Sequence, residues 1–102
     1  MESNPTLQSE FEELLGSRNV YEDPPESVKM KYTAIKYSKT AENVRFANNG
    51  RYVRMNRYEV IVIAHELDDP VIEKLLALPY CSWERHYVSN NLHHDVLTLY
   101  HK

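Results

Sequence analysis

The sequence predicts an α+β domain in which one mostly antiparallel sheet carries two helices on one face. Two segments have the apolar spacing of amphipathic helices, and four others have the alternation or composition of strands. With 102 residues the chain can build only one core, so residues 1–102 are expected to form a single domain. The predicted order is helix, strand, strand, helix, strand, strand.

The first helix is predicted at about residues 4–15. Its apolar face consists of residues that recur at i, i+4, i+7 and i+8, namely Leu7, Phe11, Leu14 and Leu15. Gly16 stands where a left-handed residue would end the helix. Residues 17–26 contain Asp23-Pro24-Pro25, which is incompatible with a helix and predicts an extended connection.

The first strand is predicted at residues 28–38, where apolar residues alternate with lysine and threonine. Residues 39–51 are mostly polar and include Asn49-Gly50, a favoured pair for a tight hairpin turn. We expect this segment to form a protruding arm or an ordered loop. The next strand is predicted at residues 51–64, and its apolar run at residues 60–63 favours a central position with both faces buried.

The second helix is predicted to begin after Asp68-Asp69-Pro70, because aspartate caps helices and proline suits the first helical position. Leu78-Pro79 would end it. Two further strands, at residues 80–88 and 92–101, flank the polar triplet Ser89-Asn90-Asn91 and predict a terminal β-hairpin.

Charge is segregated along the chain although the net charge is only −3. Residues 1–26 carry a net charge of −6, residues 27–63 carry +6, and residues 64–102 carry −3. The simplest explanation is a set of solvated faces. The pattern also allows acidic and basic faces to meet between subunits, or a basic stripe to bind nucleic acid.

Several classes of protein are disfavoured by composition. No stretch is long and apolar enough for a membrane span, and the acidic N-terminus lacks a signal-peptide core, so we expect a soluble protein made in a cytoplasm. A single cysteine and two glycines leave no internal disulfide and no phosphate-binding loop. We expect no cofactor.

Neither a metal site nor a catalytic site is predicted. Four of the five histidines lie in the terminal hairpin, where strand alternation spreads them over both faces and along its length. A two-residue turn would place His86 opposite Asp95, and a three-residue turn would place it opposite His94. Strand parity puts Cys81 with Trp83 and Tyr87, and opposite to His86, which excludes a cysteine–histidine pair.

Tyrosine is abundant, with eight in the chain, and several tyrosines stand beside lysine and arginine between residues 36 and 58. Such interleaving can bind single-stranded nucleic acid by stacking. It also suits sheet packing or a protein interface, where tyrosine and arginine are enriched. We favour the latter two.

Several strings resemble a family of small neck or tail-completion proteins encoded in the head-to-tail gene block of long-tailed phages and prophages of Gram-positive bacteria. The resemblance runs from about residue 14 to the C-terminus. It rests on Leu15-Gly16-Ser17-Arg18-Asn19-Val20-Tyr21, Pro24-Pro25-Glu26, Val28-Lys29-Met30-Lys31-Tyr32, Arg45-Phe46-Ala47-Asn48-Asn49, Arg57-Tyr58, Leu78-Pro79-Tyr80-Cys81-Ser82 and Asn90-Asn91-Leu92-His93-His94-Asp95-Val96.

This resemblance implies a virion component, located at the neck or the head-proximal end of the tail and assembled in the host bacterial cytoplasm. The chain is similar in size and element order to tail-terminator proteins that form hexameric rings. Such a ring ends tail-tube growth and joins the tail to the head. Its implied partners are further copies of itself, the tail-tube protein and the head-connector protein, with DNA at most passing through the ring.

We expect the subunit interface to lie on the arm and the strand that follows it. The candidate residues are Arg45, Phe46, Asn48, Asn49, Arg51, Tyr52, Arg54, Arg57 and Tyr58. Two alternatives stay open: a minor capsid or head-closure protein, and a small non-virion module that binds nucleic acid or protein.

Overall fold

The computed structural model describes residues 5–25, 29–48, 51–67 and 69–101, with the side chains of residues 5, 6, 46–48, 51 and 53 excepted. These residues form an α+β fold with two helices and one mixed five-stranded sheet. The elements in chain order are α1 (Pro5–Leu15), β1 (Val20–Glu22), β2 (Ala34–Asn48), β3 (Arg51–Ala64), α2 (Pro70–Leu76), β4 (Cys81–Ser89) and β5 (Leu92–His101).

The strands lie in the order β1-β2-β3-β5-β4, and β3 is central as predicted. Strand β1 is parallel to β2 and is absent from the predicted order, while the other neighbours are antiparallel. The connection expected after α1 is indeed extended, but it pairs with β2. Backbone N–H groups of Ile35 and Asp23 donate to the carbonyls of Asn19 and Tyr37, both at 2.9 Å. The pairing satisfies backbone groups that would otherwise stay open at the edge of β2.

Strand β2 begins later than predicted, at Ala34, and continues to Asn48. Val28, the predicted start, lies outside the described residues. Immediately before Ala34, the polar groups of the chain hydrogen-bond to a loop and to the cap of α2, and not to a neighbouring strand. Asn19 Nδ2 donates to the Thr33 carbonyl at 3.3 Å, and the Thr33 hydroxyl donates to Asp69 Oδ2 at 3.3 Å.

Both helices pack on one face of the sheet, as predicted. Their buried side chains meet alternate residues of β2, β3 and β5 in a single cluster, which includes Leu7, Phe11, Ile35, Tyr37, Tyr58, Val60, Val62, Val71, Leu75, Leu97 and Leu99. The expectation that residues 60–63 are buried on both faces is confirmed for three of the four. Val60 and Val62, on the helix-covered face, and Ile63, on the face without helices, are buried, whereas Ile61 is only half-buried.

The predicted helix boundaries follow from their caps. Asp69 accepts the Val71 backbone N–H at 3.0 Å through Oδ1, and Pro70 opens α2. Gly16 has a φ of 81°, and its N–H donates to the Glu12 carbonyl at 2.9 Å. Glycine adopts this left-handed conformation without steric cost and so ends α1.

The β4–β5 hairpin has the two-residue turn that places His86 opposite Asp95. Asn90 and Asn91 both have positive φ, of 54° and 61°, which asparagine tolerates better than most residues. An irregularity between Trp83 and Arg85 inserts an extra residue into β4. Beyond it, the side chains of β4 point to the faces opposite those that simple alternation predicts.

Candidate subunit interface

The β2–β3 hairpin extends past the rest of the sheet. Strand β5 pairs with β3 only from Asn56 to Ala64, and β1 pairs with β2 only from Ile35 to Tyr37. Residues 44–48 and 51–55 therefore pair only with each other within the described chain, and we name them the arm. The longest dimension of the molecule is 45 Å.

Two bulges in β2 separate the arm from the rest of the hairpin. They lie between Lys39 and Ala41 and between Ala41 and Val44. The Thr40 hydroxyl donates to the Arg57 carbonyl at 3.2 Å, and the Asn43 N–H donates to Asn56 Oδ1 at 3.2 Å. These side-chain contacts hold the chain where the backbone ladder is interrupted, so the arm has a defined base.

Arginine and tyrosine are concentrated on one face of the arm. Arg45 and Arg54 stand directly opposite each other, which places both side chains on the same face. Tyr52, two residues before Arg54, shares that face and is 70% exposed, and its ring centre lies 5.1 Å from the Arg45 guanidinium carbon. Because like charges directly opposite each other repel, this arginine face is suited to an acidic partner.

The other predicted interface residues divide into three groups. Arg57 lies at the base of the arm, where its Nε donates to the Thr40 hydroxyl at 3.1 Å. Tyr58 is 0% exposed and belongs to the core, so it is not available to a partner. The side chains of Phe46, Asn48 and Arg51, and the whole of Asn49, lie outside the described part of the structure.

An ion pair lies in the bulged segment at the base of the arm. Lys39 Nζ is 2.9 Å from Glu42 Oε2. Their hydrogen bond raises the pKa of Lys39 and lowers the pKa of Glu42. Since both groups are exposed, solvent screens the attraction, and the pair contributes little to stability.

The hairpin histidines form a pair on the helix-covered face. His86 Nε2 and His93 Nδ1 are 3.0 Å apart and their rings stack, whereas His94 stacks on Tyr87 on the other face. In the parts of the chain that the structure describes, no three histidine, cysteine, aspartate or glutamate side chains are grouped to hold a metal ion. The absence of a metal site stays a prediction.

The predicted parity of Cys81 and His86 is wrong, because the bulge in β4 brings both side chains to the helix-covered face. Cys81 lies opposite Leu99 and His86 opposite Asp95, four residues further along β5. This spacing is about 13 Å, too far for proton transfer between them. Burial also raises the pKa of the Cys81 thiol to about 11, so the reactive thiolate is disfavoured at neutral pH.

A cleft that sequence reasoning missed lies between α2 and the β4–β5 hairpin. It has a volume of about 560 Å³, and its lining includes Leu67, Ile72, Glu73, Leu76, Trp83, His86 and Asp95. Strand parity groups Trp83 with Cys81 and does not place it at a cleft. Trp83 lies in the edge strand β4, and the bulge that brings His86 to the same face leaves no mark in the local pattern.

Comparisons with known proteins leave the family open. No family model, no curated protein and no solved structure matches this chain. Among the described helices, neither combines the length and apolar character needed to cross a bilayer.

Proposed function

We propose that this protein is a structural component of a phage virion that completes or terminates the tail and joins it to the head connector. In this proposal it acts as a ring of identical subunits at the neck, and the arm supplies the contact between neighbours. Tail-tube and head-connector proteins are its other partners. The resemblance of the sequence strings to tail-completion proteins motivates the proposal.

The observation that best supports the proposal is the arm with its arginine face. Met55 at the base of the arm is buried, but Arg45, Tyr52 and Arg54 on the arginine face are exposed, so these three are better explained by a partner than by folding. Tyrosine and arginine are the residue types that dominate binding energy at protein interfaces. A projecting arm that meets a different patch on the next copy produces a head-to-tail contact, which closes into a ring when the rotation allows.

The test shortens the arm without disturbing the sheet. Val44 and Met55 are register partners, so replacing residues 45–54 with the dipeptide Asn-Gly should close a shorter hairpin through a tight turn. This variant would replace the natural protein in a phage that carries the gene. We expect tails without heads, or tails of uncontrolled length, in electron micrographs. The control is Arg18→Glu, an exposed charge change outside the arm.

The alternatives give different particles. Normal tails attached to heads that lose their DNA would indicate head closure and contradict tail termination. Infectious particles of normal tail length would show that the arm has no role in the ring. A protein absent from purified particles would contradict a virion function and favour a binding module.

A further inference from the structure

The cleft between α2 and the β4–β5 hairpin has an apolar lining that is open to solvent. Leu67 is 56% exposed, Leu76 is 39% exposed and Trp83 is 50% exposed. Large apolar side chains that are exposed together around a concave site are typical of interaction surfaces. The surface belongs to α2 and the last hairpin, outside the arm.

Trp83 is held in place by a buried carboxylate. Its indole Nε1 donates to Asp95 Oδ1 at 3.0 Å, and Asp95 is only 8% exposed. The hydrogen bond orients one edge of the ring inward, while half of the side-chain surface stays accessible. A fixed, exposed indole face is the aromatic surface that binds a guanidinium group best.

The charge of the cleft is acidic. Its lining contains the carboxylates of Asp69, Glu73 and Asp95, and His86 is its only basic group among the described residues. Asp69 already caps α2 and accepts from Thr33, and Asp95 accepts from Trp83. Glu73 is exposed and makes no ion pair with any residue of the described chain, so its carboxylate can receive a cation from outside.

The arginine face of the arm is complementary to this cleft in charge and chemistry. Arg45 and Arg54 are placed side by side with Tyr52 at their edge. A guanidinium group can stack on an indole and donate to a carboxylate at the same time. The repulsion between the two arginines would be relieved by a negatively charged acceptor.

One molecule cannot bring its own arm to its own cleft. Asp95 lies opposite Val62, and Arg54 is eight residues from Val62 along β3, which corresponds to about 26 Å. The arm and the cleft therefore lie at opposite ends of the sheet. A contact between them has to join two copies, and it leaves a free arm on one copy and a free cleft on the other.

We propose that the cleft binds the arginine face of the arm of a second copy, with Trp83 and Glu73 as the main contacts for Arg45 and Arg54. This inference rests on the proposed ring, since it identifies the surface of the neighbouring subunit that the arm meets. The arm and the cleft are different patches, so the contact is head-to-tail and can repeat around a ring.

The test separates the two halves of the contact. An acceptor variant, Arg45→Glu with Arg54→Glu, keeps the cleft but loses the arginine face. A donor variant, Glu73→Lys with Trp83→Phe, keeps the arm but loses the cleft. Each variant alone is expected to be monomeric in analytical ultracentrifugation, and a mixture of the two is expected to form a heterodimer that grows no further.

Fluorescence reports on the cleft directly, because Trp83 is the only tryptophan in the chain. In the mixture only the acceptor contains tryptophan, so its emission should change as donor is added and should saturate at one donor per acceptor. Introducing Glu73→Lys into the acceptor should weaken this binding by about tenfold or more. Glu13→Lys in the acceptor, a matched charge reversal at an exposed position of α1, should have no effect.

An unchanged tryptophan emission, or acceptor and donor variants that each still self-associate, would overturn the inference. The proposed function is judged separately, on particles that carry the shortened arm. Particles with defective tails together with an unresponsive Trp83 would mean that the arm meets a different surface. Normal particles would show that the arm has no role in the ring, even if the isolated proteins bind.

Discussion

The inner and outer halves of the β2–β3 hairpin have the same antiparallel pairing but different surroundings. In the inner half, Tyr37 and Val60 face each other beneath the helices and are almost fully buried. In the outer half, Arg45 and Arg54 face each other in the arm and are exposed. Because an isolated two-stranded hairpin is only marginally stable in water, we expect burial against α1 and α2, and not strand pairing alone, to stabilise the inner half.

The largest expected effect is a difference in lost stability between alanine variants of two tyrosines on the same face of β3. Tyr58→Ala should lower the free energy of unfolding by about 3–5 kcal/mol, because it removes a fully buried ring and leaves a cavity. Tyr52→Ala, in the 70% exposed position, should change it by less than about 0.5 kcal/mol. Urea unfolding followed by circular dichroism measures both. Equal losses would mean that the arm is part of the cooperative core.

Substitutions on the two faces of the inner half should also differ in their cost to stability. Val62→Ala removes methyl groups from the helix-covered face and should cost roughly 2 kcal/mol. Ile61→Ala, on the face without helices, should cost only about 1 kcal/mol although it removes more atoms, because Ile61 is half-buried. The same urea titration applies. A larger loss at Ile61 would indicate that the second face is covered in solution.

Tyr37, in the inner half, should make stability depend on pH. Burial, and next to it the negative charge of Glu22, raise the pKa of Tyr37 to about 12, and its hydroxyl donates to Gln8 Oε1 at 2.7 Å. Tyr37→Phe should therefore cost about 1 kcal/mol at pH 7. Because the folded pKa is raised, the stability that Tyr37 contributes is present below about pH 10 and is lost as the pH approaches 12.

The measurement for Tyr37 is a series of urea titrations between pH 7 and pH 11.5 on both proteins. The difference in free energy of unfolding between the natural protein and Tyr37→Phe should become smaller above pH 10. A difference that stays constant would show that ionisation of Tyr37 is not linked to folding.

The smallest expected effect is a gain in stability within the arm. Arg45→Glu replaces a repulsive cross-strand pair with an attractive one, and should stabilise the isolated chain by about 0.2–1 kcal/mol at low salt. The gain should shrink in high salt. Thermal unfolding at two salt concentrations measures it, with Arg18→Glu as the control. A loss of stability would mean that Arg45 has a structural partner within its own chain.

Elements with strong local signals could be predicted. The apolar spacing before Gly16 and the cap at Asp69 specify α1 and α2, and the apolar run at residues 60–63 identifies the central strand. The triplet Ser89-Asn90-Asn91 likewise marks the terminal hairpin, although only the structure decides that its turn has two residues. In each case the signal lies within a few consecutive residues, so it can be recognised without knowing which elements pack nearby in the fold.

The candidate site was predicted only in part. Arg45, Tyr52 and Arg54 lie together on an exposed face, but Tyr58 does not, although it lies on the same strand and has the same side chain as Tyr52. Composition cannot separate these two tyrosines, because their exposure depends on where β5 and the helices end. The cleft at Trp83 was missed for a similar reason, since it requires α2 and β4 to be placed in space.

The sequence by itself determined the class of fold, both helices, the central strand, the terminal hairpin and the positive charge of the middle segment, because each is encoded in local periodicity or composition. Tertiary structure decided that β1 joins the sheet, that β2 starts at Ala34, and that bulges redirect the arm and bring His86 to the face of Cys81. Strand alternation assigns side chains to faces only while the ladder is regular. A single inserted residue reverses the assignment, and the insertion is a property of the pairing between two strands, which the local sequence does not mark.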